Sequence, residues 1–389
     1  MNDFDSIKDI VCQLESYIIS KNYTGYDPYD GLMSPIFKLP ILRSNKIIRF
    51  GFQQIFRRIP FNIRPLIGIK KGLNPVTLGL CIQAFTYLAE IFKKKKKFYL
   101  ENIDKCFEKL ISLQSKGYSG SCWGYNFDWE ARYTRINAYI PTIVATGIIT
   151  NGLFEYYKYF EDDKVKELIL SSTKFVLNDL NRTYDKDGDF CFSYSPNDKQ
   201  IVFNATMKGA RLLAQAYELT KNKEYLNEAE KTVKFVIKNQ NSDGSWYYSA
   251  GDARTWVDNF HTAYILDCLK SFIFYSKKDS YNNYLLSGLN YYLKNLFTGE
   301  FNPKYYNVSL FPIDSTEVAQ SVITLTNFNL LKEAKLVLEF GIKKLFHNQN
   351  FKYQIRKYYS INIPFMRWST AYWFCSLSYY LNKIYAKKI

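Results

Sequence analysis

Residues 235–256 read "FVIKNQNSDGSWYYSAGDARTW": an apolar helix end, a Gln, a Gly-containing turn, a Trp, and then an aromatic segment. Residues 110–129, "LISLQSKGYSGSCWGYNFDW", repeat that order, and weaker copies stand at 177–196, 292–312 and 344–368. Recurrence of this kind marks a repeat architecture, in which one supersecondary unit is stacked on the next. The copies are followed by low-charge segments of helical periodicity with polar or Pro start signals, near Asn74, Asn137, Asn204, Asp258, Asp314 and Arg367. The steps between these starts are 63, 67, 54, 56 and 53 residues, each long enough for two helices and their connections.

The two helices of a unit differ in how they meet water. Residues 221–239 carry eight charges in nineteen and an apolar stripe at Tyr225, Leu226, Ala229, Val233, Val236 and Ile237, as an outward helix should. Residues 259–275 carry two charges in seventeen and must be covered on most sides. Six alternations of inward and outward helices predict an all-α fold, an (α/α)6 toroid of six helical hairpins with short aromatic, strand-like connections. The sixth inner helix, from about Arg367, has no outer partner after it. The N-terminal amphipathic helix, roughly Asp3 to Lys21, is expected to supply that partner and close the ring. One domain over 1–389 follows, with an N-terminal helix and extended wrapping segment at 1–72 and hairpin repeats at 73–389.

Composition sets outer limits on function. The chain is 47% hydrophobic and 23% charged, enough to bury a sizeable core, so it is not disordered. Its 34 Tyr and 30 Phe suit a groove in which rings pack and hydroxyls meet a polar ligand. The formal charge of +16 favours anionic partners: acidic glycans or glycolipids, lipid phosphates, or nucleic acid. Nucleic-acid binding would need basic and aromatic residues interleaved over a surface, and that partner is not expected. The run "FKKKKKF" (92–98) reads as the solvated cap of a helix C-terminus. The uncharged stretch 136–154 holds two Asn, three Thr and a Pro, which favours a buried helix over a membrane span; the basic charge leaves peripheral membrane contact open. The acidic start "MNDFD" lacks an export pattern, which predicts a cytoplasmic location. Seven scattered cysteines without a C-x-x-C pair, and only two histidines, argue against a disulfide framework and a metal site. No Gly-rich phosphate loop is present, so no cofactor is expected.

"QNSDGSW" (240–246) resembles the Gln-and-Trp repeat of the terpenoid cyclase and prenyltransferase toroids, and the six-hairpin layout resembles the glycosidase, epimerase and polysaccharide lyase toroids. The chain lacks the D-x-D-D acid motif that terpenoid cyclases of this type use; "DKDGD" (185–189) reads as a turn. It also lacks the Cys and His zinc ligands of the lanthionine cyclases. "YTGYDPYDGLMSP" (23–35) and "RPLIGIKKGLNP" (64–75) resemble the start of uncharacterised toroid proteins associated with surface-polysaccharide genes, which implies a carbohydrate role in polysaccharide biosynthesis.

A ring brings the starts of all six inner helices to one face, around a central cavity. Candidate catalytic residues there are Asp258, His261, Asp314 and Glu317. Candidate substrate-binding residues are Trp123, Tyr125, Trp129, Asn204, Trp246, Arg254, Trp256, Asn259, Tyr305, Arg367 and Trp368. Asp258 and Asp314 also stand where helix N-caps belong, and Glu317 has the spacing of a capping box with Asp314. Arg367, beside an inward apolar helix, needs an anionic partner or an aromatic face. Three readings follow: an enzyme on an anionic sugar polymer (hydrolase, lyase or uronyl epimerase), a non-catalytic glycan-binding or assembly component, and a terpenoid or prenyl-ligand toroid. Paired carboxylates mark the hydrolase, whereas Tyr or His near the abstracted proton marks the lyase or epimerase.

Overall fold

The computed structural model describes residues 3–387. After α1 (Asp3–Ser20), α2 (Pro40–Ser44) and α3 (Lys46–Phe56), the chain runs through five helical hairpins. These are α4 (Pro75–Ile91) with α5 (Lys96–Ser112), α6 (Ile143–Phe160) with α7 (Asp163–Asn178), α8 (Phe203–Thr220) with α9 (Lys223–Lys238), α10 (Asn259–Ser276) with α11 (Asn282–Asn295), and α12 (Ser315–Asn327) with α13 (Leu331–Leu345). A π-helical turn, Met366–Ala371, leads into α14 (Tyr372–Ala386).

Helices α4, α6, α8, α10, α12 and α14 pack in that order, and α14 packs back on α4, which closes an inner ring of six. Helices α5, α7, α9, α11 and α13 lie outside their partners, and α1 packs on α14 as the sixth outer helix. Burial follows the charge pattern: α4 buries sixteen of its seventeen residues, α9 only six of sixteen. Close approach of inner helices needs glycine at the crossing of α4 and α6. A Cβ on Gly79 would stand 2.8 Å from the Ile149 Cα, and one on Gly152 would strike the Gly79 carbonyl.

The repeated Gln and Trp are structural wedges. Gln240 Nε2 donates to the carbonyls of Gly244 (2.9 Å) and Tyr284 (3.0 Å), and Trp246 Nε1 donates to the Val236 carbonyl (3.0 Å). Gly244 sits at φ +92°, a conformation that the turn requires and glycine adopts without strain. This turn therefore ties α9 to α11.

Two local expectations shift. The second inner helix starts at Ile143 and not near Asn137, because Pro141 and Thr142 set the boundary; Thr142 Oγ1 accepts the Ala145 N–H at 3.0 Å. The lysine run does not simply end a helix: α4 stops at Ile91, Lys93–Lys95 form one 3-10 turn, and Lys96 opens α5. Among the described residues no helix is long and apolar enough to cross a membrane, and the uncharged 136–154 stretch feeds α6, twelve of whose residues are buried. The wrapping segment is tied at both ends, where Thr24–Gly25 pairs antiparallel with Gly72–Leu73.

Candidate active site at the ring mouth

The mouth is assembled from the N-terminal turns of the inner helices. At the start of α10, Asp258 is the N-cap, accepting the His261 N–H at 2.8 Å. Its carboxylate also receives Trp256 Nε1 at 3.0 Å, and His261 Nδ1 lies 2.8 and 2.7 Å from its two oxygens. Donation from Nδ1–H orients the ring and leaves Nε2 turned away from the carboxylate. The ring is half-buried, so a ligand in the mouth can reach it. The first-turn position thus makes a carboxylate–imidazole pair as well as a cap.

At the start of α12, Asp314 is saturated. It accepts the N–H groups of Thr316 (2.9 Å) and Glu317 (3.3 Å), Gln354 Nε2 (2.6 Å), and Trp368 Nε1 at 3.0 and 3.2 Å. Burial nonetheless holds its carboxyl above the ordinary value. Glu317 is different. It is 2% exposed, and neither carboxyl oxygen has a hydrogen-bond partner in the protein. The return bond of a capping box, from the N-cap N–H to the Glu side chain, is therefore not made. Desolvation, and then the nearby charges of Asp314 and Asp258, push its pKa well above the usual carboxylate range. A buried acid of this kind holds its proton more tightly than an exposed glutamate does.

Half-buried rings continue around the mouth. Trp129 meets Tyr29 (centroids 6.3 Å), which meets Trp368 (5.5 Å); Trp368 meets Phe260 (5.9 Å), Phe260 meets His261 (5.1 Å), and Tyr248 meets both His261 (4.6 Å) and Trp256 (5.0 Å). Such faces suit the apolar sides of sugar rings, and the N–H and O–H edges suit their hydroxyls. Tyr305 is half-buried beside this wall, with its ring on Tyr306 at 4.7 Å.

Other residues expected at the rim are buried or already held by protein groups. Trp123 and Trp246 are enclosed, Trp123 Nε1 donating to the Leu110 carbonyl at 2.8 Å. Both wedge helices apart and present no open face. Asn259 is fully buried, its side chain bonded to the Leu296 carbonyl, Tyr292 and Ser321. Arg254 is held by Asp252 through Nε and Nη2 and donates to Gln200 Oε1 at 2.9 Å. Arg367 finds both partners its sequence position demanded inside the protein: Asp27 at 2.7 and 2.9 Å, and the faces of Tyr125 and Trp368 at 4.9 Å. Tyr125 is buried, stacked on Phe127 at 5.3 Å, with the Arg367 guanidinium close to both rings. Asn204, at the start of α8, is buried with its Oδ1 unpartnered.

Midway along the inner helices lies a cavity of about 50 Å³, lined by Gln83, Asn151, Arg211, Asp267, Gln320 and Tyr372 among others. That is room for a few waters and not for a sugar. Asp27, Gln354, Tyr29 and Tyr248 were not singled out from sequence. The first lies within the "YTGYDPYDGLMSP" stretch, but nothing local shows that it will meet Arg367.

An inner ring of six helices inside an outer ring of six, with its polar and aromatic mouth at the inner N-termini, defines an (α/α)6-toroid fold. Solved structures agree across most of the chain. An unsaturated glucuronyl hydrolase specific for heparin superposes with a TM-score of 0.62 at 13% identity, covering 99% of this chain and 98% of its own. Cellobiose 2-epimerase from Bacillus thermoamylovorans gives 0.61 at 8% identity, over 81% and 88%. The GH76 α-mannanase BT2949 of Bacteroides thetaiotaomicron gives 0.58 at 14% identity, over 80% and 86%. No protein-family model matches the chain, and no curated protein matches it.

Proposed function

We propose that this protein is a carbohydrate-active enzyme that hydrolyses a glycosidic bond in an anionic sugar at the ring mouth. Glu317 is the general acid that protonates the leaving oxygen, and Asp258, oriented by Trp256 and His261, is the partner carboxylate. The observation that carries this reading is the state of Glu317: enclosed, its carboxyl pushed up by burial, and without a hydrogen-bond partner on either oxygen among the described residues. Structural carboxyls at helix starts are consumed by their caps, as Asp314 is; Glu317 is not. The aromatic wall supplies stacking faces, and the +16 charge favours an acidic polymer such as a surface polysaccharide. The epimerase, mannanase and glucuronyl hydrolase named above act on sugars, which supports a carbohydrate for this chain too. The free state of all seven cysteines, six of them buried, supports a cytoplasmic location.

A second reading, epimerisation, is favoured by the Asp258–His261 pair, whose free Nε2 is placed to take a proton from a sugar carbon. Incubation with uronate-containing and neutral oligosaccharides in ¹⁸O-labelled water, and separately in deuterated water, followed by mass spectrometry, separates the two. Hydrolysis gives shorter products carrying ¹⁸O, lost in Glu317→Gln and Asp258→Asn. Epimerisation gives a product of unchanged length carrying solvent deuterium, lost in His261→Gln. Binding of a glycan without either product would leave the assembly role, and binding of a prenyl lipid alone would sink both enzymatic readings.

A further inference from the structure

The wrapping segment is built inside out. Helix α3, "KIIRFGFQQIF", turns Arg49 and Gln53 inward: Arg49 Nε meets Glu130 Oε2 at 2.6 Å, and Gln53 Oε1 accepts the Glu130 N–H at 3.0 Å. Its outward face is Ile47, Ile48, Gly51 and Ile55, at the spacing of one helix side, with Ile47 82% and Ile55 68% exposed. The surface continues from the same layer of chain. Met33, Ile36, Leu39, Ile41 (76%), Phe61 and Leu66 (85%) are also exposed. The segment is held as one layer by internal ties: Ser34 Oγ to the Ile67 carbonyl at 2.6 Å, Phe37 on Phe52 at 4.9 Å, and the Arg64 guanidinium over Phe56 at 4.4 Å. Isolated exposed aliphatics are ordinary on a soluble protein; nine large apolar side chains within residues 33–66 are not.

The charge of this layer says what covers it. From Gly31 to Ala89 there are nine Lys and Arg and no Asp or Glu. Arg49 and Arg64 are spent on buried acids, but Lys38, Arg43, Lys46, Lys70 and Lys71 are exposed, and none of these five forms an ion pair among the described residues. Lys38 and Arg43 open, with Met33, Phe37 and Arg135, on a surface recess of about 600 Å³. A second copy of the chain would set this uncompensated positive layer against itself. An anionic lipid surface satisfies both features, taking isoleucines at the acyl boundary and lysines among the phosphates. We propose that residues 33–66 dock the protein on an anionic membrane. Because α3 is anchored to Glu130, and Arg57 of the same segment donates to Tyr29 of the aromatic wall at 2.8 Å, docking holds the ring mouth at the lipid surface.

Flotation with vesicles tests this. Wild-type protein is expected to float with phosphatidylcholine–phosphatidylglycerol vesicles, about tenfold less with phosphatidylcholine alone, and progressively less as salt rises. The triple variant Ile47→Ser, Ile48→Ser, Ile55→Ser and the double variant Lys38→Glu, Arg43→Glu should each lower flotation by about tenfold or more. All five side chains are exposed, so circular dichroism and melting should stay at wild-type values, which separates lost docking from lost folding. Failure of the wild type to float, or flotation unchanged in both variants, overturns the proposal. So does a dimer, seen by light scattering and dispersed by the isoleucine variant, in protein that never floats.

Discussion

Glu317 carries an energetic signature that can be read without a substrate. Its native pKa is raised, so the folded state holds a proton at pH values where the unfolded chain, near the ordinary glutamate value, has lost it. Stability from this group is fully present below the unfolded value and falls as pH rises through the raised native one. Glu317→Gln should therefore unfold at the same or higher temperature than wild type at pH 8, with the difference shrinking toward pH 4; melting curves across that range check it. In the same variant the proposed hydrolysis should fall by about 10²-fold or more, the scale of a lost general acid. Arg367→Ala makes a contrasting case. It strands Asp27 in the interior and should cost roughly 3–5 kcal/mol in denaturant unfolding, whatever its effect on activity. The cap positions Asp258 and Asp314 were legible in sequence because capping is settled within three residues. The partner of Arg367 was not, since Asp27 lies 340 positions away and meets it only when the ring has closed.

Among the elements, the inner helices were legible by their lack of charge and the outer ones by their stripe, because each pattern reports directly on how much water the helix meets. Boundaries were less so: α6 begins six residues after Asn137 since Thr142, not the earlier Asn, caps it. Helix α3 was hidden for a different reason. A period of 3.6 reveals two faces but not which of them the protein covers, and here it covers the polar one. The crossing of α4 and α6 offers a test of element packing. Gly79→Ala places a methyl against the Ile149 backbone, an obstacle no rotamer change removes. It should destabilise by about 1–3 kcal/mol in denaturant titration. Gly51→Ala, where a Cβ meets nothing within 4 Å, should by contrast be neutral or slightly stabilising.

For the molecule as a whole, closure of the ring depends on α1 covering α14. Ile7, Ile10, Val11, Leu14 and Ile18 of α1 are buried in the common core, and the rings of Phe4 and Tyr385 stand 6.4 Å apart. The last inner helix and the first outer one therefore form a sixth hairpin in space that the chain never connects. Covalent order should then be dispensable. A circular permutant that joins the two ends by a short Gly/Ser linker and opens the exposed α8–α9 turn between Lys221 and Asn222 breaks no buried backbone contact. Such a permutant should fold with the wild-type circular dichroism spectrum, unfold in one cooperative transition, and retain whatever glycan product the native order gives. If α1 were merely adherent, the permutant would tolerate removal of residues 1–21 as well. The closed ring requires that this deletion expose the flank of α14 and abolish cooperative unfolding.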